Sequence, residues 1–117
     1  MEVENRYGFE REKGEIEMRI YISGPITNDP DYKRKFARVQ AHLEQEGHKV
    51  INPSELNQVM PDAERSEYMS IRLDLLVLAE GVIMLNGWQK SCEACIENGY
   101  ARASDKIVLE EKSYPGL

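Results

Sequence analysis

Four short apolar segments alternate along this chain with segments of helical period, and no other feature limits the fold as strongly. The first is residues 19–23 (RIYIS), which is rich in β-branched and aromatic residues and stops at a Gly-Pro turn. Residues 82–85 (VIML) form a continuous apolar run of the kind found in the middle of a parallel sheet. Two further strands are predicted at residues 49–52 (KVIN) and 106–109 (KIVL).

Helical segments separate these strands. The first helix has Asp29 as its cap and Pro30 at its first position, carries apolar residues at helical spacing, and ends at Gly47. The stretch after the second strand has no clear period, which predicts a loop. This loop covers residues 54–60, and two further helices are predicted at residues 62–80 and 91–103.

Strict alternation of strand and helix implies right-handed crossovers and a sheet covered by helices on both faces. The sequence therefore predicts the α/β class, as a three-layer α/β/α domain with a mostly parallel sheet of four to five strands, of flavodoxin-like or Rossmann-like type. We expect the domain to cover residues 18–111, after a solvated extension at 1–17 and before a short tail at 112–117.

Composition limits the class of partner. The formal net charge of -6 disfavours binding to polymeric nucleic acid or to anionic lipid. No run approaches the roughly 20 apolar residues of a membrane span, and no secretory signal is recognisable. We therefore expect a cytoplasmic protein with a small-molecule ligand and with reduced cysteines.

The ends of the strands predict where a site would lie. In open parallel sheets ligands bind beyond the carboxyl ends of the strands, near the point where strand order reverses. Loops 24–29, 53–61 and 86–90 should meet there. We expect these loops to bring four polar side chains into one pocket, namely Tyr21, Asp74, Ser91 and Glu97.

Two carboxylates stand out on the predicted helices. Asp74 lies in the apolar stretch LDLLVL near a helix end, where burial and the helix dipole would both disfavour its charged form, as suits a proton donor. Its alternative role is an ion pair with Arg72 or Arg38. Glu97 follows Ser91 by less than two helical turns, and its alternative role is to complement the helix dipole.

The pair Cys92 and Cys95 has the C-x-x-C spacing of redox and zinc motifs, but the surrounding order of elements differs from that of thioredoxin-like domains. Two cysteines are also only half of a zinc ligand set. His42 and His48 lie outside any cluster of ligand-type residues, and neither a dinucleotide motif nor a P-loop is present. We therefore expect no metal and no cofactor.

Three segments in this order resemble the nucleoside 2-deoxyribosyltransferase-like superfamily over residues 18–109. They are residues 21–26 (YISGPI), the helix that carries Asp74, and the stretch from Ser91 through residues 97–101 (ENGYA). An Asn-Gly-Trp loop at 86–88, before the serine, is most similar to the short bacterial and phage members of unassigned function.

The resemblance implies cleavage of a nucleoside or nucleotide N-glycosidic bond, with Glu97 as the nucleophile that attacks the anomeric carbon. It also implies that the Tyr21 hydroxyl lies near this nucleophile, that Asp74 assists the sugar or base, and that the active form is a homodimer or higher homo-oligomer. Substrate-binding positions implied or expected around them are Ser23, Gly24, Pro25, Ile26, Gly87, Trp88 and Ser91.

Departures from the family pattern leave the substrate open. The transferases typically have a base-binding aspartate where this chain has Ser91, whereas related monophosphate hydrolases have a serine. Asp29 and Glu93, however, are expected to repel a phosphate near the helix start. Two alternatives therefore stay beside glycosidic chemistry: binding of a nucleotide-derived molecule without turnover, and a thiol oxidoreductase that uses Cys92 and Cys95.

Overall fold

A computed structural model describes residues 4–5, 8–9 and 17–117. Residues 4–5 pair antiparallel with residues 8–9, and residues 1–3, 6–7 and 10–16 of the predicted N-terminal extension lie outside the described residues. From residue 17 onward the chain forms a four-stranded, all-parallel sheet in the order β2-β1-β3-β4. These strands are β1 (Arg19–Ser23), β2 (Lys49–Ile51), β3 (Gly81–Met84) and β4 (Ile107–Glu110).

Four helices connect and follow these strands. They are α1 (Tyr32–Gln45), α2 (Leu56–Val59), α3 (Arg65–Val77) and α4 (Cys92–Ala103). Short 3-10 turns complete the connections at Pro53–Glu55, Trp88–Lys90 and Glu111–Ser113. The predicted α/β class and three-layer arrangement are confirmed, and the strand order is that of flavodoxin-like sheets.

The core divides into two layers because successive side chains of a strand point to opposite faces of the sheet. Ile20 and Ile22 pack with the apolar face of α1 on one side. Tyr21 packs on the other side with Leu76 of α3 and with residues of α4. The even-numbered positions of β1 thus form an apolar layer, and the odd-numbered positions, including Ser23, face α3 and α4.

Helix starts differ from the prediction where local polar groups make turns. Asp29 does not cap α1, because its carboxylate accepts a hydrogen bond from the Asp31 N–H at 3.0 Å and its carbonyl accepts one from the Tyr32 N–H at 3.2 Å. Pro30 therefore lies in a turn, and α1 begins at Tyr32. The helix predicted over 62–80 is shorter, since Glu67 Oε1 accepts the Glu64 N–H at 2.8 Å and fixes the start of α3.

The segment predicted as a loop after β2 contains a 3-10 turn and the four-residue helix α2. Asn52 Oδ1 accepts a hydrogen bond from the Ser54 N–H at 2.9 Å, which starts the turn. A helix of one turn is too short to show a hydrophobic period, so the sequence pattern did not indicate it.

The C-terminal tail packs back onto the domain. Tyr114 and Leu117 contact the core layer that α1 covers, and His42 Nε2 lies 3.0 Å from the Pro115 carbonyl. Within the described part of the chain, no helix has both the length and the apolar character that crossing a bilayer requires.

Two glycines give a matched test of this packing. A Cβ added to Gly24 would lie 2.8 Å from Cβ of the buried Leu85, whereas one added to Gly99 in α4 would meet nothing within 4 Å. We expect Gly24→Ala to lower the free energy of unfolding by about 1–3 kcal/mol through overpacking. Gly99→Ala should raise it by roughly 1 kcal/mol, because alanine favours the helix. Urea unfolding measures both, and equal midpoints for wild type and Gly24→Ala would contradict the close approach.

Candidate functional site

Four polar side chains lie together where β1, α3 and α4 meet: Glu97, Tyr21, Ser23 and Arg72. Glu97 is 0% exposed and its carboxylate accepts hydrogen bonds from all three of the others. Oε1 accepts from Ser23 Oγ at 2.7 Å and from Arg72 Nη2 at 3.0 Å. Oε2 accepts from the Tyr21 hydroxyl and from Arg72 Nε, the latter at 3.1 Å. We call this group the buried cluster.

Sequence periodicity explains how the buried cluster forms. Tyr21 and Ser23 are two residues apart on β1 and so face the same helices. Arg72 precedes the buried Leu76 by one helical turn on α3. On α4, Glu97 lies between the buried residues Ala94 and Ala101, whose small side chains let the helix approach the sheet closely.

Charge pairing makes this burial tolerable, because an isolated charge in an apolar interior is costly. Burial lowers the pKa of Arg72, but the adjacent Glu97 and Tyr21 raise it by more, so that this pKa lies above its ordinary value and the guanidinium stays cationic. Burial, and then the neighbouring Glu97 carboxylate, raise the pKa of Tyr21 well above its ordinary value. Tyr21 is therefore a protonated donor to Glu97.

A cavity of about 250 Å³ opens beside the buried cluster at the carboxyl edge of the sheet. The segments after β1 and β2, helix α3 and Glu93 of α4 line it, next to the boundary between β1 and β3 where strand order reverses. Ligands of doubly wound folds bind at such a switch point. We call it the switch-point cavity. Arg72 lines it and Glu97 does not, and the other polar lining residues are Thr27, Asn57, Arg65, Tyr68 and Glu93.

A second cavity of about 510 Å³ adjoins the first and shares Thr27, Arg65 and Glu93 with it. Its remaining walls come from the loop after β1, the loop after β3 and the start of α4, with Lys35 and Lys90 as cations. We call it the α4 cavity. The three predicted loops thus border two adjoining cavities rather than one pocket.

The two acidic residues expected to repel phosphate are each paired with a cation. Glu93 forms an ion pair with Arg65, and Asp29 forms one with Lys35 at 2.9 Å. Partial burial raises the pKa of Glu93, but the hydrogen bond from Arg65, a backbone hydrogen bond and the positive charges of Arg65 and Arg72 together lower it by more, so this pKa lies below its ordinary value. Each carboxylate beside these cavities is thus paired with a cation, and the expected repulsion of phosphate stays a prediction.

Asp74 does not join the buried cluster. Its side chain is exposed on α3, and it lines neither the switch-point cavity nor the α4 cavity. The expected burial is wrong, and so is the alternative ion pair, because Arg72 pairs with Glu97 and Arg38 with Glu111.

Ser91 is also separate from the buried cluster. It caps α4, with its hydroxyl accepting the Ala94 N–H at 3.2 Å, and it lines the α4 cavity. The four residues expected in a single pocket are thus divided: only Tyr21 and Glu97 meet.

The other predicted binding positions surround the two cavities to different degrees. Ile26 lines the switch-point cavity, and Pro25 and Gly87 line the α4 cavity. Gly24 packs against Leu85 beneath them. Trp88 lines neither cavity, because it packs against the core and donates from Nε1 to Glu110 at 3.4 Å.

The C-x-x-C pair lies at the start of α4. Cys92 and Cys95 are exposed free thiols, and Cys95 Sγ lies 3.5 Å from the Gln89 carbonyl. Over the described ranges, no three His, Cys, Asp or Glu residues are placed to hold one metal ion.

Arg72 is the site residue that sequence reasoning missed. The sequence pattern suggests it only as a partner of Asp74, although its position one turn before an apolar residue places it on the core face of the helix. A basic residue on a core face needs a buried acidic partner, and this rule could have pointed to Glu97.

Comparison with known families gives one match. Residues 18–110, most of the chain, match the family described as a domain of unknown function, DUF4406. No curated protein matches the sequence.

The Tyr21 phenol provides a pH test of the buried cluster. Because its pKa is raised in the folded state, the folded protein holds a proton that the unfolded chain releases near pH 10. Tyr21 therefore contributes stability below that pH, and the contribution falls as pH rises above it. In ultraviolet titration to about pH 11, native wild type and Tyr21→Phe should show equal phenolate absorbance. After unfolding, wild type should show one phenolate more; an excess already present in the native protein would contradict the buried hydrogen bond.

The Arg72–Glu97 pair should show strong coupling in unfolding experiments. Arg72→Met leaves a carboxylate buried without its cation, which should lower the free energy of unfolding by about 3–5 kcal/mol. The double variant Arg72→Met/Glu97→Gln should recover most of this loss, since no buried charge remains. Arg34→Met removes the exposed pair with Asp31 and should change little, which makes it the matched control. Additive effects of the two cluster substitutions would contradict the coupling.

Proposed function

Because the chain belongs to the DUF4406 family of domains, whose description names no activity, we propose a function from its own site. The proposed reaction is cleavage or transfer at the N-glycosidic bond of a nucleoside or nucleotide-like substrate, with Glu97 as the nucleophile. The ligand would occupy the switch-point cavity and extend into the α4 cavity.

One observation carries this proposal: the Tyr21 hydroxyl and Ser23 Oγ both donate to the Glu97 carboxylate at the end of β1. The resemblance to nucleoside 2-deoxyribosyltransferases implies a hydroxyl beside the nucleophilic glutamate, and the Tyr21–Glu97 hydrogen bond supports that arrangement. Neutral hydroxyl donors can orient one carboxylate oxygen without supplying a proton, provided that the phenol stays protonated, and the raised pKa of Tyr21 meets this condition.

The chemistry would run in two displacements. A Glu97 oxygen forms a bond to the anomeric carbon while the bond from that carbon to the base nitrogen breaks, and the base leaves with the electron pair and takes up a proton. Water or a second base then attacks the anomeric carbon and loses a proton. The bond to Glu97 breaks with its electron pair, which restores the carboxylate.

The space beside the buried cluster supports a ligand of this class. Small-molecule sites typically have volumes of about 300–1,000 Å³. The switch-point cavity, at about 250 Å³, holds only part of such a ligand, and the adjoining α4 cavity provides the remaining room. Apolar walls from Ile26 and Leu56 suit the face of a base, and Asn57 and Thr27 offer hydrogen bonds to a sugar.

Binding without turnover is a second candidate, and the burial of Glu97 favours it. A ligand in the switch-point cavity would meet the Arg72 guanidinium before it reached the carboxylate. The thiol oxidoreductase alternative, which would use the free thiols Cys92 and Cys95, stays a prediction.

A panel of deoxynucleosides and deoxynucleoside monophosphates, assayed for free base by chromatography, tests the proposal. We expect base release by wild type and a loss of at least about a thousandfold in Glu97→Gln, which removes the nucleophile but keeps the side-chain shape. Glu44→Gln, an exposed acid on α1, is the matched control and should retain full activity.

Two results would argue against Glu97 as nucleophile: no release from any substrate, or equal release by wild type and Glu97→Gln. Thermal stabilisation of the wild type by a ligand that stays intact would then favour the binding candidate, because a ligand that binds only the native state raises its apparent stability.

A further inference from the structure

The Glu97 carboxylate has no free side in the folded chain. Each oxygen accepts two hydrogen bonds, one from a hydroxyl of β1 and one from Arg72, and the residue is 0% exposed. An attacking oxygen needs an open lone pair directed at the reacting carbon. Chemistry at Glu97 therefore requires that one of its donors move away, and the donor that stands on the cavity side is Arg72.

Arg72 is only partly committed to Glu97. Its Nε and Nη2 donate to the carboxylate, whereas Nη1 donates to no described residue. The Arg72 side chain is 8% exposed and lines the switch-point cavity, so a ligand there can contact it.

Charge balance selects the kind of group that would draw Arg72 from Glu97. The other arginine of the cavity, Arg65, already pairs with Glu93 at the boundary with the α4 cavity. A neutral ligand offers Arg72 no replacement for a bidentate carboxylate. An oxyanion does, because carboxylates and phosphates match the two-pronged geometry of a guanidinium.

We propose that Arg72 determines specificity by binding an anionic oxygen group of the ligand, and that its transfer from Glu97 to this group uncovers the carboxylate. The inference rests on the proposed function for the role of Glu97, whereas the competition between ligand and Glu97 for one guanidinium is a property of binding alone. Arg72 is thus a positioning residue for Glu97 and the residue through which the ligand's negative charge is recognised.

The test is calorimetric binding of deoxyadenosine and deoxyadenosine 5′-monophosphate, with inorganic phosphate as a third probe, to the full chain. Glu97→Gln removes the competing charge and the nucleophile together. We expect it to bind the monophosphate at least about tenfold more tightly than wild type does, with affinity for deoxyadenosine nearly unchanged. A pair with only a structural role predicts equal or weaker binding, and that result would overturn the proposal.

Three further variants identify the residue that recognises the negative charge of the ligand. Arg72→Lys keeps a cation but loses the fork and should bind the monophosphate about tenfold more weakly. Arg72→Met/Glu97→Gln should lose the preference for monophosphate over deoxyadenosine. The proposal would be overturned if Arg65→Gln lost that preference while these variants kept it. It would also be overturned if Glu97→Gln bound inorganic phosphate more tightly than wild type does but did not bind the monophosphate more tightly. If Arg72→Lys does not fold, Glu97→Gln and the double variant still decide.

The proposed function and the inference about Arg72 can fail independently, and the experiments distinguish the two failures. Base release by wild type without tighter monophosphate binding by Glu97→Gln would uphold the proposed function and overturn this inference. Tighter binding by Glu97→Gln without base release from any substrate would uphold recognition by Arg72 and reject Glu97 as nucleophile.

Discussion

Two opposite charges buried against one strand hold this domain's helices in place. The guanidinium of Arg72 and the carboxylate of Glu97 come from α3 and α4, and both contact the hydroxyl-bearing face of β1. Neither charge is tolerable in this interior without the other, so the two helices must dock together. Arg72 of this pair also lines the cavity at the sheet's carboxyl edge, so the domain's stability and its candidate chemistry depend on one contact.

The alternation of strands and helices was enough to predict the parallel sheet, because each crossover can return in only one way. It also predicted that Tyr21 and Glu97 lie near each other, since both belong to the edge where β1 ends and α4 begins. These inferences succeed because they depend on chain order and periodicity. The two cavities share the Arg65–Glu93 ion pair, which joins distant positions that no local pattern indicates.

Asp74 shows why an apolar neighbourhood in sequence is a poor guide to burial. Its neighbours Val77 and Leu78 are 52% and 54% exposed, so the apolar run around it does not mark the core. Two residues on a helix are separated by about 200° of rotation, and Arg72 therefore faces the sheet while Asp74 faces away. Counting one helical turn back from Leu76 would have placed Arg72, and not Asp74, on the core face of the helix.

The alternation of side chains along β1 has a consequence for how the chain finds its native state. A slip of β1 by one residue against its neighbours would exchange its two faces. The hydroxyls of Tyr21 and Ser23 would enter the apolar layer under α1, and Ile22 would meet the charged pair. The misaligned sheet would thus lose hydrophobic burial and leave charges unsolvated at once. The polar residues of the site therefore favour the native register of β1 over a shifted one, whatever ligand they bind.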